Sequence, residues 1–89
     1  MIRKKITFYG RVQGVGFRYH ANYSAQLLCL TGWVRNEYDG SVTMEIQGEA
    51  ANIDKMIELL NSDRYIDIQH IESKTISVDE NENNFRIVG

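Results

Sequence analysis

Polar and apolar residues alternate over residues 3 to 9, with Ile6 and Phe8 on one face and Thr7 and Tyr9 on the other. This is the two-residue period of a half-buried strand, and it stops near Gly10. From Phe17 the period lengthens: Phe17, Ala21, Ala25 and Leu28 form the stripe of an amphipathic helix ending near Cys29. Trp33 to Asn36 predicts a second strand, and Val42, Met44 and Ile46 alternate as a third, with Asp39-Gly40 supplying the hairpin turn between them. After Gly48, the stripe Ile53, Met56, Ile57 and Leu60 predicts a second helix that Asn61 and Ser62 end. Ile66 to Val78 is β-branched and strand-like, with a slip between Ile68 and Ile71 that predicts a bulge or break. Phe85 to Val88 is a last short strand. Trp33 and Phe17 are read as core.

This order predicts the α+β class: a ferredoxin-like βαββαβ sandwich, mainly antiparallel, with two helices on one face and an extra short C-terminal strand. Right-handed crossovers through the helices place the first and third strands in the middle of the sheet. Eighty-nine residues without proline, linker or repeat supply one core, so residues 1–89 are expected to form a single domain. Neither a bilayer-length apolar run nor a signal-peptide pattern is present, and the lone Cys29 supports neither a disulfide nor a cysteine-rich zinc site. A cytoplasmic protein without membrane attachment or structural metal is expected.

Net charge is only −2, but it is uneven along the chain. Residues 1 to 36 hold six Lys and Arg and no Asp or Glu, while residues 37 to 89 hold four basic and twelve acidic side chains. An anionic ligand therefore favours the first part, unless folding interleaves the two.

The chemistry concentrates at Gly10-Arg11-Val12-Gln13-Gly14-Val15-Gly16-Phe17-Arg18, a glycine-rich turn leading from a strand into a helix. The first N–H groups of a helix lack intrahelical acceptors, and the aligned peptide dipoles add about half a positive charge there, so a tetrahedral oxyanion is attracted. Gly14 and Gly16 let the chain curl around it, and Arg18 adds a guanidinium fork. On residues alone, a plain β-to-α turn with a solvated Arg18 uses the same pattern. The Walker loop is excluded, since Gly16 is followed by Phe17-Arg18 rather than Lys-Ser/Thr, and the dinucleotide fingerprint fails at Tyr19. Asn36, at the end of the second strand, is suited either to forming the turn before Asp39-Gly40 or to holding a water against a phosphoryl group.

Gly10 to Arg18, together with Gly32-Trp33-Val34-Arg35-Asn36, Asp39-Gly40-Ser41-Val42 and Gly48, resembles the acylphosphatase family over nearly the whole chain. The resemblance implies metal-independent hydrolysis of the carboxyl-phosphate anhydride of an acyl phosphate, a small molecule, without cofactor; a monomer is expected. It further implies that the backbone N–H groups of Gln13, Gly14, Val15, Gly16, Phe17 and Arg18, with the Arg18 side chain, bind the phosphoryl group. Asn36 would orient the attacking water. Inorganic phosphate or sulfate would occupy the same loop.

Three departures stand out. Cys29 replaces the glycine common after the first helix, Phe8 replaces an aliphatic residue, and Ser62-Asp63-Arg64-Tyr65 replaces a Gly-Pro turn. Glu37 would repel a dianion if it faced the loop; strand alternation points it away from Asn36.

Two other functions share the scaffold. One is a module that binds phosphate or an acyl phosphate without hydrolysing it. RNA binding is disfavoured, because the outer face of the third strand offers Thr43, Glu45 and Gln47 instead of aromatics. The other is the first domain of a larger carbamoyl-transferring maturation factor, against which the start at Met1 and the end at Gly89 weigh.

Overall fold

The computed structural model describes all 89 residues. The alternating segments become β1 (Ile2–Arg11), β2 (Thr31–Asn36), β3 (Val42–Gly48), β4 (Asp67–Ile76) and β5 (Phe85–Ile87), and the helical stripes become α1 (Phe17–Leu27) and α2 (Ala50–Asn61). One five-stranded sheet results, in the order β4-β1-β3-β2-β5. Its pairs are antiparallel except β2 with β5, which run parallel. β1 and β3 lie inside the sheet as expected. Each strand runs somewhat beyond or short of its apolar stretch, because ladder pairing, not polarity, sets where a strand stops.

One face of the sheet carries Ile6 and Phe8 of β1, Val34 of β2, and Val42, Met44 and Ile46 of β3, all fully buried. Phe17, Ala21 and Ala25 of α1 and Ile53, Met56 and Leu60 of α2 complete the same core. Burying one such large side chain contributes roughly 1.5–3 kcal/mol, so this layer supplies most of the force that closes the sandwich. Phe8 and Phe17 meet with ring centroids 4.9 Å apart. This tilted contact ties the end of β1 to the start of α1 directly beneath the glycine-rich turn and accounts for the aromatic at position 8.

The core reading of Trp33 is corrected by the register of β2. Val34 pairs with Met44, and its parity places Gly32 and Val34 inward. Trp33 and Arg35 therefore project from the opposite face, where the Arg35 guanidinium lies 5.0 Å from the centroid of the half-buried Trp33 ring.

That outer face is not simply solvated. Arg3 is 4% exposed and donates to Glu45 and to Glu82, the second contact being 2.7 Å long. The Gln47 side chain exchanges hydrogen bonds with the backbone of Asp79. The segment before β5 thus covers part of β1 and β3, and the basic first part of the chain meets the acidic second part here.

The slip in β4 is a bulge. Tyr9 pairs with His70 and Gly10 with Ile68, leaving Gln69 extra. A Cβ on Gly10 would lie 2.2 Å from the Asp67 carbonyl oxygen, so the close strand approach admits only glycine.

The end of α1 forms a Schellman motif: Leu30 N–H donates to Ala25 O and Cys29 N–H to Gln26 O. Cys29, with φ 55°, is the only non-glycine residue in the left-handed region. A residue with a Cβ is strained in that backbone conformation, and the Cys29 side chain is exposed. Cys29→Gly is expected to stabilise the fold by about 1 kcal/mol, read as a higher denaturant midpoint with an unchanged slope.

Candidate active site

Two buried side chains fix the ends of the glycine-rich turn. Val12 and Phe17 are each 1% exposed and sink into the core, leaving residues 13 to 16 to arch over the surface between them. Gly14 and Gly16 have φ of 71° and 82°. A Cβ at either position would meet nothing within 4 Å, so glycine is needed for the left-handed backbone and not for space.

The consequence is a helix start that nothing in the protein caps. Gly16 is the N-cap of α1 and offers no side-chain acceptor, and the first turn holds no acidic residue. None of the backbone N–H groups from Gln13 to Tyr19 donates to a backbone carbonyl; the first helical bond is His20 N–H to Gly16 O at 2.9 Å. In ordinary helices a Ser, Thr, Asp or Asn side chain takes these donors. Here they stay available and carry the positive end of the helix dipole.

A small cavity of about 130 Å³ opens on this turn. Gly14, Gly16, Phe17 and Arg18 of the turn line it together with Asn36 from the end of β2. The sequence could not decide whether the end of the second strand reaches the loop. The sheet order does: β3 lies between β1 and β2, and the α1 crossover returns the chain so that both strand ends open on one edge.

Arg18 is half-buried and forms no ion pair or hydrogen bond within the protein, and it is the only charged side chain lining the cavity. Asn36 Oδ1 is the single buried side-chain polar atom in the molecule without a hydrogen-bond partner. An unmade bond at such an atom costs about 1–3 kcal/mol.

The other expected residues divide. Gln13 and Val15 do not line the cavity: Val15 packs partly against the core, and the Gln13 side chain reaches the β2–β3 hairpin, donating to the carbonyls of Glu37 at 2.7 Å and Ser41 at 2.9 Å. Val12 and Tyr19 line the cavity without having been singled out. Strand parity continued from Ile6 and Phe8 through Gly10 points to Val12, and the place of Tyr19 in the first helical turn beside Arg18 points to the other.

Glu37 faces away from the loop, as its parity requires. Its carboxylate bonds to Arg35 at 3.0 Å, and the Thr43 hydroxyl, with Arg35, holds it below the ordinary carboxylate range. Asp39 closes an Asx turn onto the N–H and hydroxyl of Ser41, and those two bonds keep its carboxyl low as well.

His20 is partly exposed on α1, and its Nδ1 lies 3.0 Å from Asp63 Oδ2. The unusual turn at residues 62 to 65 thereby docks on the first helix, a contact that no local pattern announces. No group of three His, Cys, Asp or Glu side chains is placed to hold a metal ion, and no helix is long and apolar enough to cross a membrane.

A ferredoxin-like sandwich whose uncapped helix start, half-buried arginine and Asn36 carboxamide line one small cavity has the geometry to receive a phosphoryl group among oriented donors. The acylphosphatase family model matches residues 4–87. Acylphosphatase of Clostridium perfringens (strain SM101) is 43% identical over 86 residues, covering 96% of this chain and 97% of that protein. The Clostridium acetobutylicum acylphosphatase is 42% identical, covering 99% and 98%. The crystal structure of acylphosphatase from Bacillus subtilis superposes over all of both chains with a TM-score of 0.91 at 31% identity. This chain belongs to the acylphosphatase family, and its activity is the hydrolysis of acyl phosphates.

Proposed function

We propose that the phosphoryl group of the acyl phosphate sits in the glycine-rich turn, held by the backbone N–H groups of Gln13 to Arg18 and by the Arg18 guanidinium. Asn36 orients the attacking water. The observation that carries this reading is that Asn36, from the end of β2, lines the same small cavity as Gly14, Gly16 and Arg18 of the turn. A carboxamide at that position can hydrogen-bond the water and a phosphoryl oxygen at once, so one neutral side chain holds nucleophile and electrophile in line.

In the reaction the water oxygen bonds to phosphorus as the bond from phosphorus to the acyl oxygen breaks. The acyl oxygen leaves with the bonding electrons as a carboxylate. Asn36 does not ionise, so the proton of the water passes to a phosphoryl oxygen or to solvent, and inorganic phosphate is released. A carboxylate is a good leaving group, which removes the need for a strong acid. What remains is to stabilise charge on the equatorial oxygens, and donors fixed in advance do that without reorganising.

The same reading takes the chain as a monomeric, metal-independent enzyme acting in the cytoplasm. Benzoyl phosphate hydrolysis is expected to proceed at the same rate with and without EDTA. Added inorganic phosphate is expected to inhibit competitively and to shift the amide resonances of residues 13 to 18 in a ¹H–¹⁵N spectrum. Phosphate-induced shifts centred elsewhere would overturn the placement, and binding without turnover would favour the non-hydrolysing module.

A further inference from the structure

We infer that the Gln13 side chain is a positioning residue that sets the distance between the phosphate-holding turn and Asn36; this rests on the reading of Asn36 as the water-orienting residue. The two halves of the site come from chain segments with no covalent reason to keep a fixed spacing. Loop amides are carried by the β1–α1 turn and Asn36 by the last position of β2, and a mismatch of about 1 Å between such groups is enough to cost around a hundredfold in rate.

The Gln13 Nε2 spans that gap. It donates one hydrogen to Glu37 O, one residue beyond Asn36, at 2.7 Å, and the other to Ser41 O at 2.9 Å. Those carbonyls are the two rungs of the hairpin end. Ser41 O also accepts from Glu37 N–H at 2.8 Å, and Glu37 O accepts from Gly40 N–H at 3.2 Å. Ser41 is itself fixed by Asp39, whose Oδ1 lies 2.6 Å from the Ser41 hydroxyl and 3.0 Å from its N–H. A carboxamide is suited to this task because a single nitrogen presents two hydrogens to two acceptors. A glutamate of the same length has none to give, and an asparagine is one methylene shorter.

The backbone N–H of Gln13 belongs to the loop while its side chain belongs to the hairpin, so one residue joins the two. Its side chain does not line the cavity, and it acts through Asn36 without touching the reacting atoms.

The test is a double-mutant cycle between Gln13→Met, which keeps length and neutrality but removes both donors, and Asn36→Ala, read with benzoyl phosphate. Gln13→Met alone is expected to lower kcat about tenfold to a hundredfold, with the inhibition constant of inorganic phosphate changed less than about threefold. In the Asn36→Ala background the same substitution is expected to change kcat by less than about threefold, because the group it positions is gone. Equal fold-losses in both backgrounds, or a parental kcat in Gln13→Met, would overturn the brace while leaving the role of Asn36 standing. Asn36→Ala with parental turnover would instead overturn the role of Asn36 itself. A third readout needs no variant. Slow hydrogen exchange of the Gln13 side-chain amide in the native enzyme is expected, and exchange at the rate of a free glutamine would also overturn the brace.

Discussion

Arg18→Ala is expected to reduce kcat/KM for benzoyl phosphate about a thousandfold or more, the scale seen for arginines that clamp a transferring phosphoryl group. Arg18 is the only charged side chain lining the cavity, so no neighbour can take over its work. A unit charge pair about 4 Å apart is worth up to roughly 4 kcal/mol at an effective dielectric of 20, and a thousandfold in rate corresponds to about 4 kcal/mol. One guanidinium can therefore supply the whole effect. The loss should appear in phosphate inhibition too, since the same charge acts on substrate and product. Arg18 makes no hydrogen bond or ion pair within the protein, so the variant should melt with the parent, separating chemistry from stability. A loss smaller than about tenfold would show that the loop amides alone hold the dianion, and the role given to Arg18 would fall.

Asn36→Ala is expected to lower kcat about a hundredfold or more while the inhibition constant of phosphate stays within about threefold. Removing one oriented polar group from a preorganised site typically costs on the order of a hundredfold to a thousandfold in turnover. The ground-state contacts of the phosphoryl group come chiefly from the loop and Arg18, which this substitution leaves in place. It also removes the one buried, unpaired acceptor in the molecule. That atom costs about 1–3 kcal/mol to keep, so Asn36→Ala should be no less stable than the parent. A turnover deficit accompanied by greater thermal stability is the signature of a group retained for chemistry. Destabilisation with unchanged kcat would mark Asn36 as a plain turn residue.

The parts of the site differ in how far they could be read in advance. The anion-attracting turn was legible because its ingredients are contiguous: a strand period ending at Gly10, glycines at 14 and 16, a helix stripe starting at Phe17, and no capping side chain in between. At the end of α1, the resemblance marks Cys29 as standing where a glycine is common, and the structure supplies the reason in its left-handed backbone. Asn36 was ambiguous, because a turn former and a water-orienting amide look identical until the strand carrying it is placed beside the loop. A core place for Trp33 does not survive the parity of β2, which turns Val34 inward and Trp33 outward.

By itself, the sequence determined the order of strands and helices, the apolar faces of β1, β3 and both helices, the hairpin at Asp39-Gly40, the bulge in β4 and the turn able to receive an anion. These follow from backbone periods and side-chain partitioning, which act over a few residues. Only the tertiary structure decided that Asn36 faces the loop, that Gln13 bridges the two halves, that Asp63 meets His20, and that Arg3 is buried under Glu82. Such pairings lie up to 79 residues apart. They exist because the whole sheet closes in one register, and no local preference encodes a distance across it.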